Sequence, residues 1–446
     1  MSGYAEYREV NLPWLKTVPA HWEIRRNKNI FTEQKEIVGE RSADYTLLSL
    51  TLNGIIPRDM DGGGKFPESF DKYKIVKNGD MAFCLFDIDE TPRTVGLSGY
   101  NGMLTGAYTI MRVSNINARF IYYYYLALDN GKMLRPLYTG LRKTININTF
   151  QSTKVPVPPR EEQDQIVRFL DWKVSSINKL INIKKKEIKA IDALKRSIIS
   201  HVITHGLMPD VPMKYSGVKW LGDIPAHWQT IKLKRVTKVR NEKGIYTPNS
   251  EDKYIGLENI KGYSNNISIT SSEHDVSVQC ICHSGDLMFS KLRPYLAKTV
   301  IVPYNCFCTG EMMVISAFNG DMRFLRYVML HERFIDSVNS STYGAKMPRA
   351  NSSYILNMQV PIPQVDEQQK IADYIDEKVL QIDMATKKYK QIIDDLQVLK
   401  TRLISDTVTG KIDVRGIEIP EYEFVDEDAD ADNEDDGEED TEEQED

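Results

Sequence analysis

The pentapeptide VPAHW at residues 18–22 returns as IPAHW at residues 224–228, in a chain that has only five tryptophans. The displacement is 206 residues, and further matches follow in the same order. NGDMAF at 78–83 aligns with SGDLMF at 284–289, LTGAY at 104–108 with CTGEM at 308–312, and ARF at 118–120 with MRF at 322–324. VPVPPREEQDQI at 155–166 aligns with VPIPQVDEQQKI at 360–371. A solenoid unit runs to roughly 50 residues, so a repeat four times longer means two complete domains of one kind.

Each repeat has two parts. The first carries short alternating or β-branched runs, such as YTLLSLT, GDMAFCLF, KTVIVP and MMVIS, broken by Gly, Asn, Asp and Pro, with one helical stretch (RFIYYYYLAL or RFLRYVML) among them. That pattern predicts an α+β or mostly-β domain. The second part opens after a proline cluster with Glu161 and Glu162, or Asp366 and Glu367, where carboxylates favour a helix amino end. Heptad spacing then continues through Leu170, Ile177, Ile191 and Ile198, with Ile181 and Ile188 on the companion line. The other repeat matches it with Ile375, Ile382, Tyr389, Leu396 and Leu403. The spacing predicts two long helices whose seams face each other as an antiparallel coiled coil that separates the two domains, a pseudo-twofold repeat. The expected divisions are 1–158, 159–208, 209–363, 364–416 and an acidic, disordered tail at 417–446.

Charge is compatible with a nucleic-acid partner once its distribution is considered, though it decides little by itself. The net charge is -6, but residues 426–446 hold 15 Asp and Glu with no Lys or Arg, so the remaining body is basic. The tail reads as a solubilising extension, or as a polyanion that competes with DNA for that body. Five cysteines and no secretory signal point to a reducing, cytoplasmic compartment, and no apolar run is long enough to span a membrane.

The doubled series resembles the specificity subunit of Type I restriction-modification systems. The resemblance covers residues 14–416, and it is carried by several matches in order. They are the WLxxxPAHW entries at 14–22 and 220–228, KLRPYLAK at 291–298, the PxPxxxEQ helix starts ending at Gln163 and Gln368, and ISDTVTGKIDVRG from Ile404. It implies two target-recognition domains, each reading one half of a split DNA site, and helices that set the spacer and dock methyltransferase subunits. It further implies a non-catalytic chain that binds no cofactor, with S-adenosylmethionine, ATP and Mg used by its partners: two methyltransferase and two translocase-nuclease subunits, and no membrane.

DNA affinity requires cations facing phosphates, and specificity requires side chains at base edges. The candidate contacts lie in Gly-containing basic loops: Arg142, Lys143 and Asn146; Lys291 and Arg293; and Lys346, Arg349 and Asn351. The first repeat has CLFDIDETPRT where the second has SKLRPYLAK, which leaves Arg93 as the expected counterpart of the basic residues there, and Tyr295 reads as packing. Cys280 and Cys282, and Cys306 and Cys308, have the wrong spacing for a zinc knuckle and fit neighbouring strands with buried thiols, with a metal site as the alternative. DGGGK at 61–65 lacks the phosphate-loop spacing, and the seven histidines form no HExxH. Two rival readings are a self-sufficient methyltransferase or nuclease and a coiled-coil protein scaffold.

Overall fold

The computed structural model describes residues 2–58, 67, 69–139, 143–247, 253–268, 276–344 and 346–427. The chain forms two compact units, one of residues 1–186 with 389–446 and the other of residues 187–388. The unit boundaries therefore cut through both long helices, Arg160–His205 and Val365–Val408, where a linear reading had placed them at the helix ends.

Both units are built on the same antiparallel four-stranded sheet. In the first the order is Phe31–Gln34, Thr109–Val113, Asp80–Phe83 and Val95–Leu97. In the second it is Thr237–Val239, Met312–Phe318, Leu287–Ser290 and Thr299–Ile301. The repeated GD-plus-apolar segment is thus an inner strand in each sheet, which is why every position of the strand is buried. A helix follows the last-formed strand and covers the sheet. Ala118–Asn130 is capped by Asn117 and brings Tyr125 within 5.1 Å of Phe83, while Met322–Met329 is capped by Asp321 and buries Phe324. Aromatic rings of this size, packed edge to face, supply much of each core.

The two long helices show the predicted seam. Leu170, Ile177, Ile181 and Ile375 are buried, and Ile188, Ile191, Ile198, Ile382, Tyr389, Leu396 and Leu403 are half-buried, as a two-helix coil with one covered face requires. Within the first unit Asn178 meets Lys400 and Lys184 lies 4.7 Å from the Tyr389 ring, so the segments run antiparallel. Within the second, Lys195 meets Asp383 at 2.7 Å and a Cβ at Gly206 would lie 3.5 Å from Glu367, so these segments run antiparallel too.

The repeated PAHW sits where two helix ends meet a domain. Trp22 donates to Glu162 at 2.9 Å, His21 lies 2.7 Å from the same carboxylate, and Tyr4 donates to it at 2.6 Å. A helix carboxyl end closes on the other side of Trp22, through Gly410 at φ +75, where a Cβ would meet the indole at 3.2 Å. In the second unit a Cβ at Gly206, φ +73, would meet the Trp228 indole at the same 3.2 Å, and His227 lies 3.0 Å from Glu367. Only glycine combines a left-handed conformation with so close an approach. The neighbouring glutamine of each EQ pair ties the helix start to the sheet-covering helix. Gln163 accepts from the Asn117 backbone and donates to Pro158, and Gln368 does the same for Asp321 and Pro363.

One expectation is revised and one is met. Residues 417–427 are not a free tail: Gln165 donates to the carbonyls of Val414 and Ile417, and Ser175 to that of Glu423, so the segment follows the first long helix. The four clustered cysteines lie on adjacent strands, Ser277–Cys282 and Cys306–Cys308, with Cys282 and Cys308 sulfurs 3.3 Å apart in an apolar cluster. Among the described residues no group of three or more His, Cys, Asp or Glu is arranged to hold a metal. No helix there is long and apolar enough to cross a membrane.

Candidate nucleic-acid interface

In the second unit two loops far apart in sequence zip together. Leu292 pairs with Arg349 and Arg349 with Tyr343 in antiparallel bridges. Arg293 donates its backbone N–H to Pro348 at 2.8 Å, and Ala350 donates to Lys291 at 2.8 Å. These bonds fix the backbone on which Lys291, Arg293, Lys346 and Arg349 are displayed. Arg293 is left-handed, at φ +47, and Pro294 starts a tight turn behind it, so the chain reverses at once. Lys291 Nζ reaches the Gly310 carbonyl at 2.7 Å, and Arg349 lies 3.0 Å from Glu311; both residues remain partly exposed. Lys346 is exposed.

The first unit has the same zipper. Phe86 bridges Thr144 and Thr139 bridges Thr144, the Asp87 backbone N–H donates to the Lys143 carbonyl at 2.8 Å, and the Ile145 N–H donates to the Leu85 carbonyl at 2.7 Å. Asp87 is left-handed at φ +44 and lies 206 residues before Arg293, so it is Asp87, not Arg93, that occupies the Arg293 position. The charge on this platform differs accordingly. Lys143 pairs with Glu90 and lies 3.4 Å from Asp89. A hydrogen bond from Tyr138 and the charge of Lys143 hold Asp89 below the usual carboxylate range.

Arg93 is engaged inside the fold. Its guanidinium meets Asp129 at 2.9 Å and Asn130 at 2.9 Å, and Asp129 is 1% exposed and also accepts from Thr94. Asn146 and Asn351 each accept from the backbone two residues on and cap the short helices Ile147–Ser152 and Ser352–Asn357, which anchors the far end of each platform loop. Arg142 lies outside the described residues. Lys298, the last residue of KLRPYLAK, turns inward: burial lowers its pKa, and it donates to the Leu257 carbonyl.

The expectation that Tyr295 is packing is not met, since it is 49% exposed and Tyr343 on the facing loop is 65% exposed. Both belong to the loops that carry the basic residues. The signal for Tyr343 was its position in TYGAKMPR, directly before the basic run.

The family model for the Type I restriction modification DNA specificity domain matches residues 70–190 and 225–393, one region in each repeat. The Type I restriction enzyme MjaVIII specificity subunit of Methanocaldococcus jannaschii is 23% identical over 435 residues, covering 92% of this chain and 98% of that one. The Type I restriction enzyme EcoDI specificity subunit of Escherichia coli is 22% identical over 205 residues, 44% of either chain. A chain from a structural study of complex assembly and conformational transition in the type I R-M system has a TM-score of 0.60 at 13% identity, over 89% of this chain and 99% of that one, a likeness of fold. With the family model matching well over half of its length, and once in each half of its repeat, the chain belongs to the family of Type I restriction-modification DNA specificity subunits.

Proposed function

We propose that this chain is the non-catalytic DNA-recognition subunit of a type I restriction-modification complex, and that each loop platform reads one half of a bipartite target. One observation carries the reading. The two units hold the same zippered backbone at equivalent positions but display different charges on it, with Arg293 in one and Asp87 in the other. Two domains that read different half-sites need a shared scaffold with unlike contact residues.

Arg293 and Arg349 are the candidates for bidentate contact with guanine, and Lys291 and Lys346 for phosphates. Lys143, and Arg142 beyond the described residues, serve the first platform, while Arg93, Asn146 and Asn351 shape the loops that present them. The long helices set the separation of the half-sites and dock two methyltransferase subunits. Two translocase-nuclease subunits join for restriction. This chain needs no cofactor of its own on this reading; S-adenosylmethionine, ATP and Mg belong to the partners, and the complex works in the cytoplasm.

The test is methylation mapping by long-read sequencing in a methylation-free host that expresses this chain with its methyltransferase, against each protein alone. The expected result is a new bipartite motif only when both are present. A motif from this chain alone would make it an enzyme, and no motif despite a stable complex would make it a protein scaffold.

A further inference from the structure

The repeat is broken at an ion pair on the long helices. In the second unit Lys195, 6% exposed, has its ammonium 2.7 Å from Asp383 of the facing helix. The register of 205 residues that aligns Gln163 with Gln368 carries Lys195 to Lys400 and Asp383 back to Asn178. In the first unit, therefore, the lysine is kept and its carboxylate has become an amide, with Lys400 Nζ 3.2 Å from Asn178 Oδ1. The carboxylate comes from elsewhere in the chain. Glu427 places one oxygen 2.5 Å from Lys400 and the other 3.5 Å from Lys185 and 3.3 Å from Gln397.

The residues leading to Glu427 are received by a ladder of small polar side chains. Ser175 donates to the Glu423 carbonyl at 2.9 Å and accepts from the Val425 N–H at 2.8 Å. Asn178 donates to the Val425 carbonyl at 3.2 Å and Asn182 to that of Asp426 at 2.9 Å. Spacings of three and four residues put these groups on one helix face, and all three are under 8% exposed. Arg119 stacks over Phe424 with its guanidinium carbon 5.5 Å from the ring centre. The aligned positions in the other helix are Leu380, Asp383 and Lys387, which cannot form such a ladder.

We propose that this face of the first unit is a docking site for an extended acidic peptide, and that its resident occupant is the chain's own segment 422–427, a releasable strap across the helix pair. The side chains read the backbone of the strap, so they accept any extended chain, and the lysines select a carboxylate at its end. Burial opposes ionisation of Glu427, but Lys400 and Lys185 outweigh it and lower its pKa, so the pairing is charged at neutral pH. A protein that seats on this face must displace the strap first.

Hydrogen exchange measured by mass spectrometry on the full chain tests this, reading a peptide that contains residues 421–427 against one from residues 389–408 as a control for helix integrity. Slowed exchange of the Val425 amide is expected in the unaltered chain. Glu427→Gln should speed it by about tenfold, the loss of one hydrogen-bonded charge pair. Asn178→Asp should speed it too, because it gives Lys400 the partner that Lys195 already has and repels Glu427, and it should leave the helix control unchanged. A labelled synthetic peptide of residues 418–427 should then bind the Glu427→Gln chain more tightly than the unaltered one, whose site is filled. Unprotected exchange in the unaltered chain, or no change in either variant, would overturn the proposal, as would equal peptide binding by both chains.

Discussion

A lysine on a phosphate and an arginine on a base edge fail differently when removed, and the second platform offers candidates for both. Lys346 is exposed on the loop. Lys346→Ala should weaken binding to all sequences alike and lower the slope of log affinity against log salt by about 1. Arg293 is held in a left-handed turn by a backbone bond to Pro348. Arg293→Ala should cost about 1–3 kcal/mol and relax one base of the second half-site while leaving the first intact. Affinity titrations at several salt concentrations, together with motif mapping, separate the two. Uniform loss from both would reduce Arg293 to a phosphate contact. A second residue-scale prediction concerns His331, 4% exposed, whose ring accepts from the Arg333 backbone and abuts Trp220 at 5.3 Å. Burial, and then the charge of Arg333, push its pKa down from 6.5 to about 4. The unfolded chain therefore takes up a proton near pH 6.5 that the folded chain takes up only near pH 4. Stability falls as the pH drops through that window, by up to about 3 kcal/mol. His331→Asn keeps a capping acceptor without the titration, so its urea midpoint should fall less than that of the unaltered chain between about pH 7 and about pH 4.5. Equal falls would mean that His331 is not the group responsible.

At the scale of elements, the proposed ruler is the helix pair. Four residues inserted into one long helix add about 6 Å at 1.5 Å per residue, the rise of one or two base pairs. The mapped motif should keep both half-sites and change its spacer by that amount; an unchanged spacer would remove the helices from the role of ruler. The helices and their seam were legible in advance, because heptad spacing survives in any sequence that must bury one stripe, and Leu170 or Ile375 shows it without a partner in view. Sheet strands such as GDMAF were legible for a similar reason. The platforms were not. Leu292 and Arg349 are 57 residues apart, and nothing local in either loop announces their bridge. Arg93 looked like the cation of the first platform because its neighbours in sequence align with a basic run, but an offset between the loops puts Asp87 at the Arg293 position. The strap was hidden differently: Ser175, Asn178 and Asn182 read as the polar side of an amphipathic helix, since periodicity counts apolar residues and says nothing of what covers the polar ones.

For the molecule as a whole, the asymmetry in charge remains to be connected with the strap. Residues 428–446 add 13 carboxylates directly after Glu427, and without them the net charge of -6 becomes +7. Such a reversal acts on the approach to DNA through the long-range field, which reaches about 30 Å at 0.01 M salt and about 8 Å at 0.15 M. A chain ending at Glu427 keeps the strap, whereas one ending at Pro420 loses strap and acid together, so the pair separates the two effects. The chain ending at Glu427 should associate with DNA several-fold faster at low salt, with a difference that fades towards physiological salt, and should give the same methylated motif, because the candidate base contacts lie on the two platforms. The chain ending at Pro420 should show the same electrostatic gain and, in addition, tighter binding of the labelled peptide of residues 418–427, because its strap site is empty. If the two truncations instead match the full chain in DNA association at low salt, the acidic run does not act on the basic surface, and its role is that of a solubilising extension anchored by the strap.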